Sequence, residues 1–277
     1  ESWITPIDLW FVRNHHPTPK VDEKEYLITL SGLGLPHGHV DRAVTFSLND
    51  LQTKFNKKTI VSSVQCGGNR RGEMNTIEHT HGTPWNVSAI STAKWGGVLL
   101  SDVLRSVGVD VYSAQRDGIQ HVQFTGMEGM EASIPASKAL STYGDVLLAY
   151  EMNDQALPPQ HGFPVRVIVP GHVGVRNVKW LQKIQLSSEE SHGPWQRGMS
   201  YKGFSPATRS LEGIDVEKIP SLQEQPVQSA ITFPGPNKCT LKRDPDNASS
   251  MKVEVVPHSF EAGSIQTLRG YAYSGGG

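Results

Sequence analysis

Helical periodicity is almost absent from this chain of 277 residues, and that scarcity does most to limit its fold. Apolar residues come instead in short runs broken by 27 glycines and 18 prolines, the texture of strands and turns. Tyr26–Leu30 and Val44–Leu48 read as strands. Val146–Tyr150 and Val165–Val169, β-branched or apolar and bounded by Gly, Pro and Asn, read as buried core strands. The clearest helix covers Gly97–Gly108, with apolar residues at i, i+3 and i+4 and a glycine where a C-terminal cap belongs. A weaker helix covers Ala136–Leu140. A polar stretch from about Ser205 to Gln225 marks a change of texture. Beyond it Val227–Ile231, Lys252–Val256 and Thr267–Tyr273 alternate like strands of an antiparallel sandwich. We place a domain boundary there, with a large domain over 1–222 and an incomplete one over 223–277. A full sandwich takes about 100 residues.

Lys and Arg number 26 against 27 Asp and Glu, a formal net charge of −1, which suggests neither a nucleic-acid partner nor a membrane surface. Any positive site must be a local cluster. No run of about 18 apolar residues occurs, so no membrane-spanning helix is expected. The chain begins at Glu1, and a targeting peptide or preceding domain is expected to have been cut away. The sequons at Asn86 and Asn247 are too short a pattern to carry weight. The two cysteines, Cys66 and Cys239, lie far apart and lack Cys-x-x-Cys spacing, which disfavours a disulfide scaffold and a structural zinc site alike.

A single functional thiol fits better. Cys66 ends the apolar-alternating run VSSVQ and precedes Gly67, Gly68, Asn69, Arg70 and Arg71. The glycines permit close approach of something bulky, and the arginines favour the thiolate. Such a thiolate suits either a nucleophile or a soft ligand for a metal carried by an anionic cofactor. The nucleophile reading needs a histidine base, and eleven histidines offer no spacing that selects one. Further cations accompany histidines or strand mouths: Phe11-Val-Arg-Asn-His15, His161 to Arg166, and Arg176 to Trp180. Singly each reads as a salt bridge; together, beside loop glycines, they read as a phosphate and oxyanion site.

These blocks, with Leu147–Asn153, Ile90–Gly97 and Trp195–Phe204, closely resemble the molybdenum domain of eukaryotic sulfite oxidases, over nearly the whole chain. The resemblance implies an α+β fold, a mixed-sheet molybdopterin-binding domain of sulfite oxidase type followed by the start of an immunoglobulin-like β-sandwich for dimerisation. It implies molybdenum held by molybdopterin, with Cys66 as metal ligand. Phe11, Val12, Arg13, Asn14, His15, His161, Arg166, Asn177, Val178 and Lys179 would hold the pterin and its phosphate. Glu128 would supply the acidic contact. Arg13, Arg71 and Tyr201 would form the substrate pocket, lined by Trp85, for oxidation of sulfite to sulfate by oxygen-atom transfer. Cytochrome c or oxygen as electron acceptor, a homodimer, and the mitochondrial intermembrane space follow from the same likeness, with peroxisome or cytoplasm as alternatives.

Some positions depart from the family's pattern: Gly67 stands for its usual alanine, His172 for an apolar residue, and Glu128 for its usual aspartate. The rivals are the molybdenum domain of assimilatory nitrate reductase, a catalytically inactive scaffold, and, more weakly, a cysteine hydrolase. Arg-Arg-Gly-Glu after the cysteine and Tyr201-Lys-Gly-Phe204 favour the sulfite oxidase side.

Overall fold

A computed structural model describes residues 3–35, 43–205, 207–208, 210–233, 238–244, 247–256, 259–260, 262–263 and 265–275. The strands are β1 (Leu27–Gly32), β2 (Val44–Ser47), β3 (Lys58–Gln65), β4 (Ile90–Leu99), β5 (His121–Gly126), β6 (Glu131–Pro135), β7 (Leu147–Met152), β8 (Gln155–Ala156), β9 (Arg166–Ile168), β10 (Leu181–Ser187), β11 (Gln228–Phe233), β12 (Lys238–Asp244), β13 (Asn247–Val256) and β14 (Arg269–Tyr273). Among the described residues five short α-helices join them: α1 (Leu48–Lys54), α2 (Arg71–Met74), α3 (Leu100–Ser106), α4 (Val111–Arg116) and α5 (Ala136–Leu140).

Backbone contacts divide the chain into two units, Glu1–Pro226 with Gly275–Gly277, and Val227–Ser274. The larger unit holds two sheets. One runs β2-β1-β10-β5-β6 and is mixed, because β1 and β10 are parallel while the other pairs are antiparallel. The other runs β3-β4-β7-β8, with β9 also pairing β7. The pleat of β7 sends alternate residues to opposite faces. Leu148 and Tyr150 join a core that includes Ile28, Leu30, Phe124 and Ile184, whereas Leu147 and Ala149 join Trp10, Val64, Trp95 and Ile168. β7 is therefore buried on both faces, and Leu147–Tyr150 reads as a continuous apolar run for that reason. The smaller unit holds two antiparallel pairs, β11–β14 and β12–β13.

The helix expected over Gly97–Gly108 begins later, at Leu100. Gly97, Val98 and Leu99 belong to β4, because an irregularity between Gly96 and Gly97 keeps the strand paired to β7. A Cβ at Gly97 would collide with the Leu148 carbonyl. Gly108 does close the helix, with φ 87°. The sequence reading overlooked α1 and α4, each too short to show a periodic face. Both carry a reciprocal N-terminal cap: Asp50 N donates to Ser47 Oγ (3.1 Å) and Ser113 N to Asp110 Oδ1 (2.8 Å), with the return bonds also made.

His172 lies buried in the loop after β9, and its Nδ1 has no hydrogen-bond partner. Burial, reinforced by Lys138 and Arg176, pushes its pKa down to about 4. The unfolded chain takes up this proton below about pH 6.5 and the folded chain does not until about 4, so stability is lost as pH falls through that window. His172→Leu should add about 1 kcal/mol at pH 7 by removing an unpaired buried nitrogen, and more at pH 5. Thermal melts at the two pH values check this; an unchanged pH slope would contradict it.

Candidate active site

Cys66 directly follows β3, at the point where the strand turns. Its N–H donates to Ala89 O (2.9 Å), and its carbonyl accepts from Asn69 N (3.0 Å). The buried Asn69 side chain fixes this turn by accepting from Ala89 N at 3.0 Å. The two glycines then admit two bulky groups. The Tyr201 ring lies over Gly67, where an added Cβ would meet it at 3.6 Å, an ordinary contact that an alanine could make. The Arg71 guanidinium lies over Gly68, where a Cβ would approach within 2.6 Å. Arg71 donates to Thr83 O (3.0 Å), whereas Arg70 pairs with Glu73 (2.6 Å) on the exposed side of α2.

Strand ends and loops of the larger unit enclose a cavity of about 70 Å³. Phe11, Arg13, Asn14, His15, Cys66, Glu128, His161, Arg166, Asn177, Val178, Lys179 and Tyr201 line it. Three expected residues do not line it. Val12 points outward and is exposed, Arg71 stands behind Gly68, and Trp85 packs its ring edge-on against Phe11 at 6.2 Å. Trp10, Val64, Met130, Val175 and Trp180 line the cavity unforeseen. Being apolar, they carry no signal in sequence that separates a cavity wall from core.

The charge on the wall is positive and poorly compensated. Lys179 Nζ donates to the carbonyls of Arg13 (3.2 Å) and Gln160 (3.0 Å) and to Asn14 Oδ1. Burial, with Arg166 nearby, lowers its pKa to about 7. Arg166 is buried, donates to His161 O (3.0 Å) and Asn177 O (3.1 Å), and stacks 5.1 Å over Trp95. Desolvation alone brings its pKa down to about 9. Burial first, then neighbouring cations, hold His15 and His161 near 4, so both imidazoles are neutral at pH 7. Glu128 folds its carboxylate over Gly126, and burial raises its pKa. Asn177 commits its amide to the loop, accepting from Val169 N (2.7 Å) and donating to His172 O and Val173 O. It therefore offers the cavity backbone more than side chain. Tyr201, with its pKa raised to about 12 chiefly by burial, keeps its phenolic proton and places Oη 3.5 Å from His15 Nε2.

Residues 15–195 match the oxidoreductase molybdopterin binding domain. The chain belongs to that family. It is 41% identical to sulfite oxidase of Gallus gallus over 283 residues, covering all of this chain and 55% of that one. Identity is 42% to the mitochondrial sulfite oxidase of Homo sapiens, again over the whole chain and 46% of the relative. A nitrate reductase of Phytophthora infestans is 35% identical over the whole chain and 29% of its own length. The chain thus spans about half the length of the sulfite oxidases it matches. Among solved structures, the sulfane dehydrogenase SoxCD of Paracoccus pantotrophus superposes with a TM-score of 0.68 at 23% identity, over 86% of this chain and 55% of that one, which establishes the fold.

Family membership makes molybdenum carried by molybdopterin the cofactor, and the residues present fit it. Arg166 Nε, His161 Nε2 and Glu128 Oε2 are buried without partners. A pterin cofactor with its phosphate would offer such atoms partners. Among the described residues no group of three or more His, Cys, Asp or Glu could hold a metal unaided. A metal carried by a cofactor with its own sulfur donors would need fewer ligands from the protein.

Proposed function

We propose that this protein oxidises sulfite to sulfate. The observation that carries the reading is the convergence on Cys66 of a protonated phenol and an arginine, each seated over one of the two glycines that follow the thiol. The bound molybdenum–molybdopterin supplies the transferable oxygen and takes up two electrons, with Cys66 as the protein's metal ligand. Phe11 to His15, Glu128, His161, Arg166 and the 177–179 segment hold the pterin; Val12 acts through its backbone. Sulfite is a small anion that loses its water on entry. Arg13, exposed in the cavity wall, and Arg71, acting at longer range from behind Gly68, offset that cost, and Tyr201 donates a hydrogen bond to a sulfite oxygen. Trp85 supports this end of the site through Phe11.

Arg13→Gln should raise KM for sulfite about tenfold with kcat nearly unchanged, as expected when ground-state and transition-state binding weaken together. Tyr201→Phe should lower kcat a few-fold with a smaller change in KM. Steady-state kinetics with an artificial acceptor reads both, and an unchanged KM for Arg13→Gln would remove that residue from the pocket. Sulfite-dependent reduction of ferricyanide, set beside nitrate-dependent oxidation of a reduced viologen on the same sample, tests the substrate. Sulfite turnover supports the reading, and nitrate turnover alone overturns it.

The same reading carries cytochrome c or oxygen as acceptor and a mitochondrial intermembrane location. The name of the human relative supports the organelle. It also takes residues 223–277 as the beginning of an immunoglobulin-like dimerisation domain, supported by two antiparallel strand pairs there.

A further inference from the structure

Arg176 stands in one of the cation clusters read from the sequence as an anion site, yet it faces away from the cavity. It is fully buried. Its guanidinium donates through Nε (3.0 Å) and Nη2 (2.8 Å) to Leu222 O, and through Nη1 to Trp195 O (3.0 Å) and to Gln196 Oε1. All of these acceptors are neutral. They belong to two segments otherwise distant in sequence, and both bear on Tyr201.

The first is a strap over residues 219–225. Leu222 N donates to Tyr201 O (2.7 Å), Gly203 N to Pro220 O (3.0 Å), and Lys202 Nζ to Ile219 O (2.9 Å). The strap's other end is bonded to the loop that carries Arg176, through Val173 N to Gln223 O (2.9 Å) and Gln225 N to Gly171 O (2.8 Å). The second segment carries Trp195, whose ring lies 5.0 Å from His15, the imidazole that Tyr201 Oη faces. Tyr201 itself sits at φ 62°, in the left-handed region a tyrosine rarely adopts. Such a conformation persists only where its surroundings fix it. Glu190 completes the assembly, accepting from Gln196 Nε2 (2.8 Å) and Ser221 Oγ (2.8 Å), and Ser221 Oγ also reaches Gln196 O (2.8 Å).

We propose that Arg176 is a positioning residue for the sulfite reaction, clamping the 219–225 strap and the 195–196 segment so that Tyr201 is held over Gly67 beside Cys66. It rests on the sulfite-oxidising reading above, and it assigns Arg176 no contact with substrate or cofactor. Loss of the clamp acts through the phenol, so its kinetic cost depends on the phenol being present.

A double-mutant cycle tests this on the molybdenum-loaded protein. Arg176→Lys keeps the charge but cannot make the forked contacts. It should lower kcat/KM about threefold beside Tyr201, no more than loss of the phenol itself, and have almost no effect beside Tyr201→Phe, because positions acting as one unit are not additive. Ser221→Ala is the milder second variant, serving if Arg176→Lys does not fold, with about twofold against none. Equal losses in both backgrounds overturn the proposal, as does a loss of molybdenum that matches the loss of rate. Absence of sulfite turnover in the wild type would sink the parent reading and this proposal with it, and is thereby distinct from failure of the clamp alone.

Discussion

Replacing Cys66 by serine should reduce sulfite turnover to background while the protein stays folded. The thiol lies half-buried at a strand end. The turn is held by backbone bonds and by Asn69, which serine leaves untouched. The expected stability change is under about 1 kcal/mol, or a few degrees in the thermal midpoint. The chemical change is far larger, because an alkoxide is a hard and strongly basic donor that replaces thiolate poorly on a sulfur-bound metal. Turnover near the wild-type rate would remove Cys66 from the metal. A collapse of the thermal midpoint would show that the sulfur serves the fold instead.

Arg166→Gln should cost the protein its cofactor. This guanidinium is buried, bonded to two neutral carbonyls, with Lys179 nearby and, among the described residues, no carboxylate bonded to it, an arrangement that favours an anion arriving from outside. Two of its N–H groups hold the His161 and Asn177 carbonyls, and Nε is left without a partner. Glutamine removes the charge and cannot reach both carbonyls, so the expected destabilisation is about 2–4 kcal/mol. Molybdenum per chain should fall severalfold even in molecules selected as folded. Arg166→Lys should rescue little, because an ammonium cannot fork to two carbonyls and a phosphate together. Full molybdenum content in either variant would contradict the assignment.

Much of this site was legible in the sequence because its chemistry uses distinctive residues. A thiol followed by two glycines and two arginines announces a crowded anion site, and the structure seats Tyr201 and Arg71 over those glycines. Which arginine packs against the glycine turn was not legible: Arg70 and Arg71 are adjacent, and the left-handed turn at Arg70 sends it to Glu73, while Arg71 lies over Gly68. Arg176 and Arg166 look alike in sequence, each near a strand mouth, yet one clamps carbonyls behind the wall and the other lines the cavity. Sequence spacing cannot separate them, since the difference arises where segments around 195 and 222 return to the loop. The core strands were readable from their apolar runs, while α1 and α4 rest on local capping bonds too brief for periodicity to register.

The central claim is that Cys66 completes the coordination of a molybdenum held in this cavity. X-ray absorption at the molybdenum edge, on wild type and Cys66→Ser prepared in a cofactor-competent host, tests it most directly. The account predicts molybdenum near one per wild-type chain, and one sulfur neighbour fewer in the variant. Identical sulfur coordination in the two proteins, or a wild type from that host containing no molybdenum, would contradict it.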